Sequence, residues 1–90
     1  MVYPDSRILL VDDERQVLDA LSELLQPLGC QLFMTQSPRQ GFEILGTESI
    51  DVVISDMRMP EMDGDCFLEQ VAKQWPATER IVMTGHADAQ

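Results

Sequence analysis

The stretch Asp51-Val52-Val53-Ile54-Ser55-Asp56-Met57-Arg58-Met59-Pro60-Glu61-Met62-Asp63-Gly64 decides the architecture. Val52, Val53 and Ile54 form a short β-branched apolar run, the kind that fits a strand buried on both faces. Asp56 then stands where that strand should end. Pro60 lacks a backbone N–H and Gly64 tolerates unusual dihedrals, so the segment after Asp56 reads as a shaped loop before a new helix. A second apolar run, Ile8-Leu9-Leu10-Val11, leads straight into Asp12, Asp13 and Glu14. In an open parallel sheet, ligands bind outside the carboxyl ends of the strands, where the strand order reverses. Asp12, Asp13 and Asp56 are therefore expected to converge on one crevice. Like charges that close repel and raise one another's pKa, which invites a divalent cation. An all-oxygen site selects a hard metal. Mg²⁺ fits best, because it takes few protein ligands and keeps several waters.

Outward from that stretch, the first strand is expected over Arg7 to Val11, after a short lead-in from Met1 to Ser6. Val17, Leu18, Leu21, Leu24, Leu25 and Leu28 recur at helical spacing and predict a helix from Glu14 to about Gln26 with one face on the sheet. Pro27 weakens its last turn and Gly29 can close it. Asp13 and Glu14 also suit a helix N-terminus, where the dipole favours negative charge. A second acidic strand end argues for more than capping. Gln31 to Thr35 reads as the second strand. Ser37-Pro38-Arg39-Gln40 carries a capping serine, a first-turn proline and a glutamine at the capping-box position. The helix that follows should run to Leu45, bury Phe42, Ile44 and Leu45, and end at Gly46. The third strand is expected over Asp51 to Ser55. A further helix opens at Asp63 or Gly64, runs through Phe67, Leu68, Val71, Ala72 and Trp75, and stops at Pro76. Arg80 to Met83 is the fourth strand. Alternating strands and helices with right-handed crossovers give an α/β, doubly wound parallel sheet in the order 2-1-3-4.

Ninety residues allow one domain, with 44% hydrophobic and 24% charged residues, too apolar for disorder. The net charge of −10, with six lysines and arginines against sixteen acids, argues against direct nucleic-acid binding. Most of those acids belong to a solvated surface. Cys30 and Cys66 lack the spacing of a metal or redox pair and read as reduced packing residues. No signal sequence and no run of about 18 apolar residues is present, so a cytoplasmic protein without membrane contact is expected.

Val11-Asp12-Asp13-Glu14, then Ser55-Asp56-Met57-Arg58-Met59-Pro60 with Met62-Asp63-Gly64, then Met83-Thr84-Gly85-His86 stand in an order and spacing that resemble the response regulator receiver domain of two-component signalling. The chain is identified from these motifs as a chemotaxis-regulator-like member, with the flavodoxin-like receiver fold. The resemblance implies a phosphorylatable switch rather than an enzyme. Asp56 would accept a phosphoryl group from a sensor histidine kinase. Asp13 and Asp56 would ligate Mg²⁺ directly, Asp12 directly or through water, and the main-chain carbonyl of Arg58 would add a ligand. Thr84 would meet the phosphoryl oxygen and move toward it, and the Arg58 and His86 side chains would modulate the site. Met57, Met59 and Met62 read as adaptable packing rather than a cofactor box.

The same resemblance implies a continuation: a fourth helix, a fifth strand ending in a lysine, a fifth helix, and an output domain beyond Gln90. The sequence is thus expected to be a receiver domain over 1–90 that is incomplete at its C-terminus. Without that lysine, weak Mg²⁺ binding and poor phosphorylation are expected. An uncovered fourth-strand edge bearing Ile81, Val82 and Met83 would favour a homodimer. Two other readings stand beside this one. One is a phosphorylation-independent interaction module. The other is a haloacid-dehalogenase-type phosphohydrolase, which wants Asp-x-Asp after its first strand where this chain has adjacent Asp12-Asp13.

Overall fold

The computed structural model describes residues 5–83. Strands β1 (Arg7–Val11), β2 (Gln31–Thr35), β3 (Val52–Asp56) and β4 (Glu79–Met83) alternate with helices α1 (Arg15–Leu25), α2 (Pro38–Thr47) and α3 (Gly64–Gln74). Every strand pairing is parallel and the order is β2-β1-β3-β4, as the alternation predicts. The central strands bury both faces because successive side chains point to opposite sides. Leu9, Val11 and Val53 pack with Leu45 of α2 and with Phe67, Leu68 and Val71 of α3. Ile8, Leu10 and Val52 point the other way, onto Leu18 of α1. Each such side chain, fully buried, contributes about 1.5–3 kcal/mol, so the β1 and β3 runs that announce the sheet in sequence also hold it together.

Several local expectations need correction. Helix α1 stops at Leu25 and passes into a 3₁₀ turn over Gln26–Leu28, which Pro27 can enter without a donor. Gly29 closes that turn at φ 83°, a left-handed conformation that costs glycine nothing. Leu24 and Leu28, read as part of the buried stripe, are 71% and 50% exposed; α1 turns only Leu18 fully inward, with Leu21 and Leu25 half-buried beside it. Helix α2 does not end at Gly46 but runs on to Thr47, whose hydroxyl donates back to the Glu43 and Ile44 carbonyls. Leu45 is buried there, while Phe42 and Ile44 are half-buried against the core.

Ser37 caps α2 by accepting from the Gln40 N–H at 3.3 Å. The capping box is left half made. The Gln40 side chain instead accepts from the buried Thr35 hydroxyl at 2.6 Å, and the Thr35 oxygen accepts from the Ser37 N–H. Strand β3 runs from Val52 through Asp56, one residue later at each end than the expected Asp51 to Ser55, and β4 begins at Glu79 rather than Arg80. Ile81 and Val82 of β4 are 47% and 40% exposed.

At the opposite, N-terminal end of the strands, Arg7 gathers neighbours that are distant in sequence. Its guanidinium donates to the Ser49 carbonyl, the Gln31 amide oxygen and the Glu48 carboxylate, and lies 5.0 Å from the centre of the Phe33 ring. Its main-chain N–H donates to the Asp51 carboxylate at 2.8 Å. This knot ties β1, β2 and the α2–β3 connection at the far end from the acids.

Candidate metal centre

The sheet register builds the site. Val11 of β1 is aligned with Ser55 of β3, so the residues just beyond, Asp12 and Asp56, emerge side by side at the carboxyl rim. Asp13 follows on the β1–α1 loop. One carboxylate oxygen from each of Asp12, Asp13 and Asp56 lies within 4.8 Å of the others. Opposite oxygens in an octahedral magnesium shell are about 4.2 Å apart, twice the metal–oxygen distance of about 2.1 Å. The cluster is thus close to the size of that shell and consists wholly of hard oxygen donors. Among the described residues, no lysine or arginine is ion-paired to any of the three acids. The donor set fits Mg²⁺ on chemistry and on size.

Asp12 is the most enclosed of the three, 3% exposed. Its N–H donates to the Thr35 carbonyl at 3.2 Å and its carboxylate accepts from the Glu14 N–H at 2.8 Å. Burial raises its pKa above the ordinary carboxylate value. The Glu14 N–H opposes that rise, and the negative charges of Asp56, Asp13 and Glu14 add to it. Glu14 itself, read as a possible cap for α1, makes no side-chain cap bond.

The loop after Asp56 is held by main-chain bonds. The Met57 N–H donates to the Met83 carbonyl at 3.0 Å, and the Gly64 N–H donates to the Met57 carbonyl at 2.6 Å. The Asp56 carbonyl accepts from the Ser55 hydroxyl at 2.9 Å. Met59 is buried and Met62 packs on the core, in keeping with packing roles. Gly64 has an ordinary negative φ, since among the described residues Gly29 is the glycine with a positive one. Its importance lies elsewhere: a Cβ placed on it would lie 2.0 Å from the Asp56 carbonyl oxygen. No sequence pattern announces that approach. Arg58 is exposed, two residues past Asp56. Thr84 and His86 lie outside the described residues.

A family model for the response regulator receiver domain matches residues 8–90. This chain belongs to that family. The receiver domain is 35% identical over 86 residues to the transcriptional regulatory protein GlrR of Escherichia coli K12, which covers 96% of the chain but only 19% of GlrR. It therefore spans a small part of the regulator it matches. A solved protein from Neptuniibacter caesariensis is 49% identical with a TM-score of 0.91, over 99% of this chain and 66% of that one. The response regulator TrrA of Thermotoga maritima, solved in complex with Mg²⁺-BeF, superposes with a TM-score of 0.86 at 26% identity, over 94% of this chain and 74% of its own. Nothing in these comparisons supports the phosphohydrolase or the phosphorylation-independent reading. Among the described residues, no helix of the receiver domain is long and apolar enough to cross a membrane.

The raised pKa of Asp12 makes stability of the metal-free receiver domain depend on pH. The folded state holds the Asp12 proton more tightly than the unfolded state, so stability falls as pH rises from the ordinary carboxylate range through the folded-state pKa. Above that window the cost is complete. Asp12→Asn removes the charge and keeps an oxygen for the Glu14 N–H. In chelator, thermal melts should find the variant more stable than the parent at neutral pH, with the gain shrinking as the pH falls through the window. A variant less stable than the parent at neutral pH would contradict this.

Proposed function

We propose that this receiver domain takes a phosphoryl group from the phosphohistidine of a sensor histidine kinase onto Asp56. The observation that carries the reading is the meeting of Asp12, Asp13 and Asp56 within 4.8 Å at the rim of the sheet, on a chain of this family. An Asp56 carboxylate oxygen attacks phosphorus, an O–P bond forms, and the P–N bond to the histidine ring breaks. The electron pair returns to the imidazole, which takes up a proton, and an acyl phosphate remains on Asp56. Mg²⁺, when bound, neutralises charge on the phosphoryl oxygens as the group transfers. Asp12, Asp13, Asp56 and the Arg58 carbonyl are the residues proposed to hold it. Thr84 is proposed as the hydroxyl that follows the phosphoryl group, and Arg58 and His86 as flanking side chains that set how long it lasts.

The domain acts as a switch, assisting only its own phosphorylation and dephosphorylation, and passes the change to an output domain. Its setting is cytoplasmic. The low coverage of GlrR and the reported Mg²⁺-BeF complex of TrrA agree with a regulatory module of this kind. The test is incubation with acetyl phosphate, with and without Mg²⁺, followed by intact-mass measurement. It should be run on this chain and on a version extended by a fifth strand that ends in lysine. An adduct of one phosphoryl group that requires Mg²⁺ is expected, more abundant in the extended form. Absence of the adduct from both forms would overturn the proposal.

A further inference from the structure

Two side chains of the β2–α2 loop bond to the two different loops that carry the acids. The Gln36 amide Nε2 donates to the main-chain carbonyl of Asp13 at 2.9 Å. A carbonyl can be met only by the nitrogen of that amide, so the contact has one chemical sense. The adjacent Ser37 hydroxyl donates to the Glu61 carboxylate at 3.0 Å, on the loop that follows Asp56. The dipeptide is itself anchored. The buried Thr35 hydroxyl bonds Gln40, Thr35 accepts from the Ser37 N–H, and the Thr35 carbonyl accepts from the Asp12 N–H. Gln36 and Ser37 thus form a brace from the Asp13 loop to the Asp56 loop.

The Asp13 carbonyl precedes α1, whose first main-chain acceptor is the Glu14 carbonyl, bonded by the Val17 and Leu18 N–H groups. Helix hydrogen bonding therefore does not restrain the Asp13 peptide. Gln36 does. Rotation of that peptide would swing the Asp13 carboxylate away from Asp12 and Asp56. On the reading that these acids bind Mg²⁺, we infer that Gln36 is a positioning residue of the metal centre, holding the Asp13 peptide in the orientation that keeps the three carboxylates together.

The test compares the parent with Gln36→Ala and Gln36→Glu by Mg²⁺ titration calorimetry and by amide hydrogen exchange of the metal-free protein. A hydrogen bond of ordinary strength that is lost on mutation implies about three- to tenfold weaker Mg²⁺ binding. Both variants should show it, because neither alanine nor an ionised glutamate can donate to the carbonyl. Exchange at the Glu14 N–H, which bonds the Asp12 carboxylate, should quicken in both without metal, while exchange in β1 and β3 stays as in the parent. If Gln36 acted only through charge, Gln36→Glu would bind Mg²⁺ more tightly than the parent and Gln36→Ala would match it, and the inference would fall. Unchanged affinity and exchange in both variants would also overturn it. A parent that binds no Mg²⁺ would sink the reading of the site and this inference with it, whereas a binding parent with unchanged variants would sink the inference alone.

Discussion

Asp56→Asn is expected to abolish formation of the acyl phosphate while leaving the fold standing. Asparagine has nearly the shape of aspartate, so the half-buried position need not repack. The structural bonds at this residue are main-chain ones, its carbonyl accepting from the Ser55 hydroxyl and its strand pairing with β4, and both survive the change. What is lost is the proposed nucleophile. An amide offers no ionised oxygen to attack phosphorus, and the cluster drops from three carboxylates to two, which also weakens its hold on a divalent cation. Intact-mass measurement after acetyl phosphate and Mg²⁺ treatment should show the adduct in the parent and none in the variant. The thermal midpoint in chelator should be equal to or above that of the parent, since one of the charges crowding Asp12 is gone. An adduct of undiminished yield on the variant would place the phosphoryl group on another side chain and end the assignment of Asp56.

The features legible in the sequence are those that one-dimensional patterns encode. The β1 and β2 expectations match the strands residue for residue, because apolar runs flanked by acids or turn residues leave little freedom in where a buried strand begins and stops. The convergence of Asp12, Asp13 and Asp56 follows from the same logic, since parallel strands that end in carboxylates must deliver them to one rim. What the patterns could not reveal depends on contacts between distant segments. Helical periodicity identifies Leu24 as a stripe residue but cannot tell whether a neighbour covers it, and it stands 71% exposed. Gly46 looks like a helix terminator by type, yet its helix continues until the Glu48 cap, whose N–H donates to the Ile44 carbonyl. The Gln36 bond to Asp13 spans 23 residues and the Arg7 knot more than 40 on one side, and neither has a local signature. Gly64 is the sharpest case, because the sequence offers conformational freedom as its reason and the structure gives close approach instead.

That distinction sets up an opposed pair of glycine substitutions. Gly64 and Gly46 both lie in helices, α3 and α2, where replacing glycine by alanine ordinarily gains up to about 1 kcal/mol of helix propensity. At Gly46 a Cβ would meet nothing within 4 Å, so Gly46→Ala should gain close to that amount. At Gly64 the same Cβ would fall 2.0 Å from the Asp56 carbonyl oxygen, 2.9 Å from its carbon and 3.0 Å from the Met57 Cα. All three are main-chain atoms at the end of β3, so no flexible side chain can yield. Either α3 moves off the sheet, straining the 2.6 Å bond from the Gly64 N–H to the Met57 carbonyl, or the Asp56 peptide moves and takes its carboxylate out of the cluster. Overpacking of this kind costs about 1–3 kcal/mol and at times more, which exceeds the propensity gain. Against a typical domain stability of about 5–15 kcal/mol, Gly64→Val, with two further methyl groups, should leave the receiver domain barely folded. Urea unfolding should therefore rank Gly46→Ala above the parent, with Gly64→Ala below it and Gly64→Val lowest. Mg²⁺ affinity should fall in Gly64→Ala but not in Gly46→Ala, because only the former pushes on the peptide that carries Asp56. If Gly64→Ala proved as stable as Gly46→Ala and bound Mg²⁺ like the parent, the close seating of α3 against Asp56 could not be what holds that carboxylate in place.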